Sequence, residues 1–395
     1  MKVILDFRKY DGVVGGVEQG AIQVARYACR HGHPVVLVCK DKRREQVRDL
    51  FGKLDGLTIR GLPIASHAIS LQNARLDSRF LQDLAVSEGA ALVHFYYNWS
   101  FPFRRKVPCI LTVHDVIPFT FREAMGFFRN RFLYRPAMRA ACRLNDVIVT
   151  VSEYSRQDLA KKVGVPLEKI RVIPNGLRDP AGPDPGLRAG LEKRFDLGNG
   201  YILNVGGIHE RKNIERLVRA FGGLVRDHGY GGNLIVTGSV SGAPYQDKMK
   251  KRCDAVVAAA GMKNRVIFSG FVTEDELDNL LHGADLLIYP SLYEGFGIPI
   301  LEAMKVGTPV VTSSVTAMPE IAGDAALLVN PRDPSEMTAA MSRILRDRAL
   351  RERLVSAGRD RACAYSWDRT CRQYLDLYEE ICSRRTPAGP DGGPA

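Results

Sequence analysis

Two doubly wound α/β domains facing each other across a cleft are predicted by three features of the sequence. Short runs rich in β-branched residues alternate with stretches of helical periodicity in both halves of the 395-residue chain. These runs are apolar throughout, which is typical of strands buried on both faces of a parallel sheet. The chain is also too long for one ordinary hydrophobic core, which favours two domains.

Twelve of these runs are predicted to be strands, six in each half. In the first half they are Val3–Phe7, Val35–Cys39, Leu92–Tyr96, Ile110–His114, Val147–Val151 and Ile170–Pro174. In the second half they are Ile202–Val205, Leu234–Thr237, Val266–Ser269, Leu286–Tyr289, Val310–Thr312 and Ala326–Val329. Ligands of open parallel sheets lie beyond the carboxyl ends of the strands, so the polar residues after each run are the candidates for function.

A segment rich in Pro and Gly separates the two halves. Leu177–Gly200 contains DPAGPDPG, which is typical of a linker or an exposed loop. We therefore predict an N-terminal domain over residues 1–178 and a C-terminal domain over residues 196–365. A helix over residues 366–383 follows, and the polar tail 384–395 is predicted to be disordered.

Charge and cysteine content limit the class of protein. The formal net charge of +12 favours phosphate-rich partners and leaves nucleic acid, anionic lipid and nucleotide sugars open. The eight cysteines form no C-x-x-C pair and no zinc-finger spacing, which indicates free thiols in a reducing cytoplasm. No apolar stretch approaches 18 residues, so no segment is expected to span a bilayer. The apolar start is interpreted as the first core strand and not as a signal sequence.

The most informative motif is EGFGIPILE, which runs from Glu294 to Glu302 after the strand LLIYPS. Its two glycines allow a close backbone approach to a ligand, and Pro299 suits the first turn of a helix. The start of that helix would offer unpaired N–H groups and a positive dipole end to a phosphate. The two glutamates could then accept hydrogen bonds from sugar hydroxyls on either side of a diphosphate. The alternative is a tight turn with two solvated glutamates.

A second motif, VGGIHERKN, lies between the strand YILNVG and the helix NIERLVRAF. Arg211 and Lys212 are expected beside the helix start, where they could clamp a diphosphate. Asn213 is a candidate cap for this helix. The alternative is a solvated basic loop.

In the first half, Gly15 and Gly16 follow the first strand and precede a helix expected to begin at about Glu18. The pattern is not G-x-G-x-x-G, and the second strand VVLVCK does not end in an acidic residue, so a nicotinamide-binding site is excluded. A glycine turn with backbone amides facing the cleft remains, beside an ordinary strand–helix turn.

The strand ILTVHD is predicted to carry His114 and Asp115 to the cleft. The histidine could bond a sugar hydroxyl or steer the acceptor, or it could be a satisfied structural residue. The other histidines form no cluster of ligands, so we expect no metal site.

Together these segments resemble the retaining family 4 glycosyltransferases of the GT-B fold, and the resemblance covers nearly the whole chain. The segments are LTVHDVIPF, VTVSEYSRQDL, RVIPNG, LNVGGIHERKNIERL, VIFSGFV and YPSLYEGFGIPILEAMKVGTPVV. The resemblance implies two Rossmann-like domains, a nucleotide-diphosphate sugar as donor and chemistry that requires no metal. It also implies that the helix Trp367–Cys382 packs back on the N-terminal domain.

The resemblance further implies roles for individual residues. Glu294 would bond hydroxyls of the donor sugar and Glu302 the nucleotide ribose. Arg211 and Lys212 would neutralise the diphosphate. His114 would lie near the outer sugar hydroxyl and the acceptor, with Asp115 on the acceptor side. Further donor contacts are implied for the backbone amides of Gly295, Phe296 and Gly297, for Gly15 and Gly16 near the phosphates, and for Gly238 and Phe271 near the base.

The chain departs from many members of the family at one position, because Gly206-Gly207 stands where they carry Gly-Arg. A subgroup of mannosyl- and rhamnosyltransferases of bacterial surface polysaccharides shares this feature and HDVIPF. This similarity favours mannose from GDP-mannose as the donor sugar and a glycan or polyprenyl-linked acceptor in O-antigen-type synthesis. The resemblance also implies retention at the anomeric carbon, with the diphosphate taking the acceptor's proton.

A stretch over Phe121–Arg143 holds six arginines, one glutamate and several aromatic residues. It could lie on an anionic membrane, which would place the protein peripherally on the inner face of the cell membrane. Alternatively, its aromatic residues face the core of the first domain. Pro136 interrupts the pattern.

Three rival functions remain at the level of sequence. A nucleotide-sugar epimerase of the same fold would need no acceptor, and a phosphorylase of this fold would need a pyridoxal-phosphate lysine. A basic nucleic-acid-binding protein is disfavoured, since the strands lack interleaved aromatic and basic residues. We therefore expect no nucleic-acid partner.

Overall fold

The computed structural model of the chain describes residues 1–66, 68–121, 125–240, 242 and 244–384. The chain divides into two compact units. Unit 1 comprises Met1–Val116, Phe128–Gly176 and Trp367–Ala395, and unit 2 comprises Ile117–Phe127 and Leu177–Ser366. Residues 385–395 of the predicted disordered tail lie outside the described residues. The bounds that the sequence suggests for the two domains stay predictions.

The described part of unit 1 contains a seven-stranded parallel sheet in the order β3-β2-β1-β4-β5-β6-β7. Its strands are β1 (Val3–Asp6), β2 (Val35–Lys40), β3 (Leu57–Leu62), β4 (Leu92–Phe95), β5 (Cys109–Thr112), β6 (Val147–Thr150) and β7 (Ile170–Val172). Its helices are α1 (Gly16–Arg30), α2 (Arg44–Phe51), α3 (Leu71–Arg75), α4 (Leu81–Ser87), α6 (Arg135–Leu144), α7 (Glu153–Asp158) and α16 (Trp367–Ser383). Wider helical turns at Leu76–Phe80, Arg129–Tyr134 and Leu159–Val163 adjoin α4, α6 and α7, and tighter turns lie at Asp41–Arg43 and Leu167–Lys169.

The described part of unit 2 contains a six-stranded parallel sheet in the order β10-β9-β8-β11-β12-β13. Its strands are β8 (Tyr201–Val205), β9 (Asn233–Thr237), β10 (Val266–Gly270), β11 (Leu286–Tyr289), β12 (Val310–Ser313) and β13 (Ala326–Val329). Its helices are α5 (Ile117–Thr120), α8 (Pro185–Phe195), α9 (Ile214–His228), α10 (Pro244–Ala259), α11 (Glu274–Gly283), α12 (Ile298–Val306), α13 (Met318–Ala322), α14 (Pro334–Arg346) and α15 (Arg348–Cys363). Tight turns lie at Glu210–Lys212 and Gly323–Ala325.

The predicted fold class of two parallel, doubly wound α/β sheets is confirmed. Each of the predicted strands is present, with ends that differ by about two residues at most. In each sheet the chain reverses its direction of growth once, between β1 and β4 in unit 1 and between β8 and β11 in unit 2. Such a reversal leaves a crevice at the carboxyl ends of the two central strands, where ligands of this sheet type bind.

The strand β3 was not among the predicted strands, and its environment explains why. It lies at the edge of the sheet beside β2, and Thr58 and Arg60 on it are exposed. An edge strand is covered less completely than a central one, so it alternates between apolar and polar residues. A search for runs that are apolar throughout misses such a strand.

The expectation of a linker or exposed loop over Leu177–Gly200 was wrong for α8. Asp184 caps this helix, since its carboxylate accepts from the backbone N–H groups of Gly186 at 2.8 Å and Leu187 at 3.0 Å. Pro185 occupies the first turn. Asp and Pro are common both in loops and at the start of helices, which explains the error.

A buried polar and aromatic network ties α16 to the sheet of unit 1. Nδ1 of His94 lies 2.6 Å from the Tyr378 hydroxyl, and its Nε2 lies 2.8 Å from the Thr112 hydroxyl. The Tyr374 hydroxyl lies 3.5 Å from the same threonine oxygen. Burial lowers the pKa of His94 to about 3, helped by the nearby charge of His114 and opposed by that of an aspartate. The imidazole of His94 is therefore neutral at neutral pH.

This network makes the stability of unit 1 depend on pH. The unfolded chain binds a proton at His94 below about pH 6.5 and the folded chain does not, so protonation favours unfolding as the pH falls. We expect this side chain alone to remove about 2 kcal/mol of unfolding free energy between pH 7 and pH 5. The measurement is urea denaturation at pH 5, 6 and 7, comparing wild type with His94→Gln.

The variant should lose less stability on acidification than wild type. His282→Gln, a change at a half-buried histidine of unit 2, is the control and should keep the wild-type pH dependence. Equal slopes for wild type and His94→Gln would contradict the assignment.

Candidate active site

Two loops meet at the carboxyl ends of the central strands of unit 2. Gly206–Asn213 follows β8 and Pro290–Gly297 follows β11, and these strands are neighbours at the reversal of the sheet. The backbone N–H of Leu292 in the second loop donates to the carbonyl of Arg211 in the first at 2.7 Å. The loops are thereby joined at the place where a doubly wound sheet binds its ligand.

A cluster of one carboxylate and two cations lies between these loops. Oε1 of Glu294 lies 2.5 Å from Nη1 of Arg211 and 2.8 Å from Nζ of Lys212. The Ser291 hydroxyl donates to the same oxygen at 3.0 Å. The ammonium of Lys212 also donates to the Tyr289 hydroxyl and lies 4.3 Å from the centre of that ring. We call Arg211, Lys212 and Glu294 the cation–glutamate cluster.

The cation–glutamate cluster is buried and carries a net positive charge. Glu294 is 8% exposed and Lys212 is 5% exposed. Burial by itself raises the pKa of Glu294, but the charges of Lys212 and then Arg211 outweigh it, so this pKa lies below its ordinary value. Glu294 is therefore ionised at neutral pH. Two positive groups beside one negative group leave an excess of positive charge, which favours the binding of an anion.

Close backbone packing explains why glycines surround the cation–glutamate cluster. A Cβ on Gly206 would lie 2.6 Å from Nζ of Lys212, and one on Gly207 would lie 2.8 Å from the carbonyl oxygen of Ser239. Both glycines have positive φ, at 119° and 74°. The arginine that many family members carry after the first glycine would meet this strain and this contact at position 207. The backbone at position 207 therefore suits glycine and not arginine, in agreement with the departure noted in the sequence.

The helix α12 begins directly after the second loop. Gly297 is its N-cap residue, with φ of 125°, and a Cβ there would lie 2.9 Å from the Met318 methyl carbon. Pro299 lies in the first turn, as predicted. Phe296 is buried, and its ring meets Tyr365 edge-on at 5.7 Å between centroids. This end of α12 presents N–H groups and the positive end of the helix dipole.

Glu302 lies on α12, within a second group of charges. Its Oε1 lies 3.5 Å from Nε of Arg178, whose guanidinium is also bound to Asp278. Burial raises the pKa of Glu302, and Arg178 opposes that rise. Sequence reasoning gave no role to Arg178 or Asp278, because the first follows the quoted RVIPNG segment and the second lies in an unremarkable helix.

Asn213 occupies the N-cap position of α9 but does not cap the helix through its side chain. It has a left-handed backbone, with φ of 63°, and its amide donates to the carbonyls of Pro290 at 3.1 Å and Pro331 at 2.5 Å. The predicted N-cap position is therefore confirmed, but the predicted hydrogen bond from the side chain to the start of the helix is not formed. Its side chain instead ties the two loops and a third segment together.

Gly238 and Phe271 lie at the ends of β9 and β10. The N–H of Gly238 donates to the Gly270 carbonyl at 2.8 Å, and Phe271 next to it is 77% exposed. An aromatic ring exposed at a strand end is available for stacking. The predicted place of both residues near a nucleotide base stays a prediction.

The candidate residues of unit 1 lie at the ends of β1 and β5. Gly15 and Gly16 are exposed at the start of α1, where Glu18 accepts from the Gly15 N–H at 3.1 Å. His114 and Asp115 are half-buried. Nε2 of His114 lies 3.3 Å from a backbone carbonyl oxygen, and burial lowers the pKa of this histidine to about 4. His114 is therefore neutral at neutral pH.

The structure brings some of the predicted residues together. Arg211, Lys212 and Glu294 are in contact, whereas Glu302 belongs to the separate group around Arg178. Tyr289 and Ser291 were overlooked, although they lie in the quoted segment YPSLYEGFG. Their positions, five and three residues before Glu294, are the signal that could have indicated them. Among the described residues, no His, Cys, Asp and Glu side chains cluster as a metal ion would need.

None of the described helices combines the length and hydropathy that a bilayer crossing requires. All eight cysteines are free thiols.

Two protein-family models match the sequence. The model described as "Glycosyl transferases group 1" matches residues 192–361, and the model "Glycosyltransferase Family 4" matches residues 14–179.

Curated relatives are similar over most of the chain. It is 30% identical over 285 residues to an O-antigen chain mannosyltransferase B of Escherichia coli, covering 71% of this chain and 72% of the relative. It is 28% identical over 291 residues to an MMP alpha-(1->4)-mannosyltransferase of Mycolicibacterium hassiacum, covering 70% of this chain and 66% of the relative.

Solved structures share the fold at low sequence identity. A glycosyltransferase of Rickettsia africae has a TM-score of 0.75 at 18% identity, covering 96% of this chain and 98% of that one. Anabaena Alr3699/HepE, in complex with UDP and glucose, has a TM-score of 0.73 at 18% identity, covering 96% of this chain and 100% of that one. With the family models and the Escherichia coli relative, these similarities agree with the two parallel sheets and the motifs described above: the chain belongs to glycosyltransferase family 4 and has the GT-B fold.

Proposed function

We propose that this glycosyltransferase moves a hexose from a nucleotide-diphosphate sugar to a glycan or lipid-linked saccharide, with retention at the anomeric carbon. The observation that carries the proposal is the buried cation–glutamate cluster at the carboxyl ends of β8 and β11. It combines a fixed carboxylate, suited to sugar hydroxyls, with fixed cations, suited to a diphosphate.

The cations supply the electrostatic part of the reaction. Departure of the nucleoside diphosphate builds negative charge on its terminal phosphate. Arg211 and Lys212 are held in place by Glu294 before any ligand arrives, so they need little reorganisation to stabilise that charge. The N-terminus of α12 adds N–H donors. These groups replace the metal ion that other sugar transferases use.

Glu294 orients the donor sugar in this mechanism. A carboxylate has room for several hydrogen bonds, and Oε1 already accepts from three side chains. In the proposal, the carboxylate uses its further acceptor capacity for sugar hydroxyls near the reacting carbon. The backbone amides of Gly295, Phe296 and Gly297 complete the contacts to the sugar and the diphosphate.

The side chains of unit 1 serve the acceptor in this proposal. A histidine with a pKa of about 4 is a weak base at neutral pH, so His114 acts by hydrogen bonding and not as a general base. The proposal keeps the roles that the sequence resemblance implies, with Asp115 assigned to the acceptor and Gly15 and Gly16 assigned to the phosphates. The acceptor hydroxyl attacks the anomeric carbon from the face that the diphosphate leaves. An oxygen of the leaving diphosphate takes the proton of that hydroxyl.

Mannose from GDP-mannose is the proposed donor, and O-antigen-type surface polysaccharide is the proposed product. Two relatives are named as mannosyltransferases, one of them for an O-antigen chain. A structural neighbour instead holds UDP and glucose. Pocket shape decides between such donors, so the donor needs a direct test.

The test is a thermal-shift panel of GDP-, UDP-, ADP- and dTDP-sugars, with and without EDTA, followed by turnover with and without a saccharide acceptor. A donor at a hundred times its dissociation constant should add about 2.7 kcal/mol of stability. We expect a shift with GDP-mannose that EDTA does not change.

The outcomes separate the alternatives. Loss of the shift in EDTA would contradict a metal-free donor site. Conversion of the donor without an acceptor would indicate an epimerase. An inverted linkage in the product, read by NMR, would contradict retention.

Lys212→Ala tests the role of the cations. Removal of one fixed donor at a developing charge typically costs about 3–4 kcal/mol, so turnover should fall at least about a hundredfold. Lys193→Ala, at an exposed lysine of α8, is the control and should keep wild-type turnover. Near-native turnover of a folded Lys212→Ala protein would remove the phosphate assignment.

We also propose that unit 1 rests on an anionic membrane on the cytoplasmic side. Phe128 is 74% exposed, Phe132 is 68% exposed and Leu133 is 46% exposed, whereas Tyr134 on the same helical segment is buried. The aromatic residues are therefore divided between core and surface. Pro136 lies in the first turn of α6 and does not interrupt the helix. Arginines flank the exposed aromatic pair, which suits an anionic bilayer.

Flotation on liposomes tests this contact. We expect binding to vesicles of phosphatidylglycerol and phosphatidylcholine, and weaker binding to phosphatidylcholine alone. Phe128→Ser/Phe132→Ser should reduce binding at least about tenfold, since each loses buried apolar area. Phe103→Ser, at a phenylalanine of unit 1 that is 64% exposed, is the control. Wild type that stays in the soluble fraction would overturn the membrane contact.

A further inference from the structure

A chain of charged contacts leads to Glu302 from outside the motif that contains it. Nε of Arg178 lies 3.5 Å from Oε1 of Glu302. Arg178 is the second residue of the Leu177–Ser366 segment of unit 2, and it precedes α12 by more than a hundred residues in the sequence. Neither the family motif nor any role assigned above includes it.

The guanidinium of Arg178 is held in one orientation. Its Nη1 donates to Oδ2 of Asp278 at 2.7 Å, and its Nη2 donates to the other carboxylate oxygen. Asp278 is fully buried on α11, and it also accepts from the backbone N–H of Ala181 at 2.8 Å. A two-point contact of this kind fixes a guanidinium in direction as well as position. Its third nitrogen, Nε, is the one that lies 3.5 Å from Glu302.

The carbonyl of Arg178 is also held. Nζ of Lys305, one turn after Glu302 on α12, donates to this carbonyl oxygen at 3.1 Å and to Asp179 at 2.5 Å. Both the backbone and the side chain of Arg178 are therefore fixed against α11 and α12.

The negative charges around Glu302 oppose its ionisation, and Arg178 counteracts them. Asp278 and Glu274 are negative and lie close enough to disfavour the ionised form of Glu302. Burial raises the pKa of Glu302, the two carboxylates raise it further, and Arg178 lowers it. Lys305, on the same helix as Glu302, is itself bound to the Arg178 carbonyl and to Asp179. Without Arg178, Glu302 would gain a proton at a higher pH and would lose acceptor capacity.

We propose that Arg178, clamped by Asp278, is a positioning residue that holds the Glu302 carboxylate for the ribose of the donor and so sets the preference for ribonucleotide over 2′-deoxyribonucleotide donors. The inference rests on the proposed function, which assigns the ribose to Glu302. Its physical basis is that a site built to hydrogen-bond a hydroxyl rejects the analogue that lacks it.

The experiment is calorimetric titration of the full chain with GDP and with 2′-deoxy-GDP between pH 6 and pH 8.5. The proteins are wild type, Arg178→Gln, Glu302→Gln and the double variant. Arg188→Gln is the matched control, because Arg188 is an exposed arginine of unit 2 paired with a glutamate. Arg178→Lys retains a cation for buried Asp278 and serves if Arg178→Gln does not fold.

We expect wild type to prefer GDP over 2′-deoxy-GDP by at least about tenfold, as for a hydrogen bond to a charged group. In Arg178→Gln the preference should fall to about threefold or less, and the double variant should match Glu302→Gln. The affinity of Arg178→Gln for GDP should weaken as the pH falls from 8 to 6. This loss should begin at a higher pH than in wild type, and the affinity for 2′-deoxy-GDP should change less. The control should keep the wild-type preference and pH profile.

A purely structural role for Arg178 predicts a different pattern. Equal loss of affinity for both nucleotides in Arg178→Gln, with an unchanged pH profile, would overturn the inference while leaving nucleotide binding intact. Wild type that binds GDP without discriminating against 2′-deoxy-GDP would overturn it as well. Failure of wild type to bind any nucleoside diphosphate would overturn the proposed function together with it.

Discussion

Glu294 stays charged although it is buried, because Lys212 and Arg211 lie against it. A lone carboxylate in that position would take up a proton, and two lone cations would repel each other. The cation–glutamate cluster therefore holds itself together, and it is held by two loops that come from neighbouring strands. Its net charge of one positive unit gives the site an affinity for anions before a ligand arrives.

The backbone around the cluster is arranged to keep that contact. Gly206 leaves space for the Lys212 ammonium, and Gly207 lets the first loop approach the strand end that carries Gly238. Asn213 then fastens the first loop to two further segments by its amide. A side chain at either glycine would push the lysine or the loop away. The ion pairs of the cluster therefore require glycine at these two positions.

The titratable groups discussed in the two units differ in their charge state at neutral pH. The Glu294 carboxylate is stabilised in its charged form by neighbours, whereas His94 and His114 are held neutral by burial. A neutral imidazole can bridge two hydroxyls, as His94 does between Tyr378 and Thr112. The contrast follows from the neighbours: the carboxylate has cations in contact, and the imidazoles have hydroxyls, carbonyls and aromatic rings.

The sequence by itself determined the fold class, the central strands and the loops that carry the site. Strands covered on both faces are apolar throughout, and glycines, a basic pair and two glutamates at strand ends are visible without coordinates. The edge strand β3 and the true role of Asn213 were beyond it, since both are decided by neighbours that are distant in the chain. The helix α8 was missed for a local reason, because the Asp and Pro that begin it are also common in loops. Only the tertiary structure brought Arg178 and Asp278 to Glu302, because contacts that join residues about a hundred positions apart leave no local pattern.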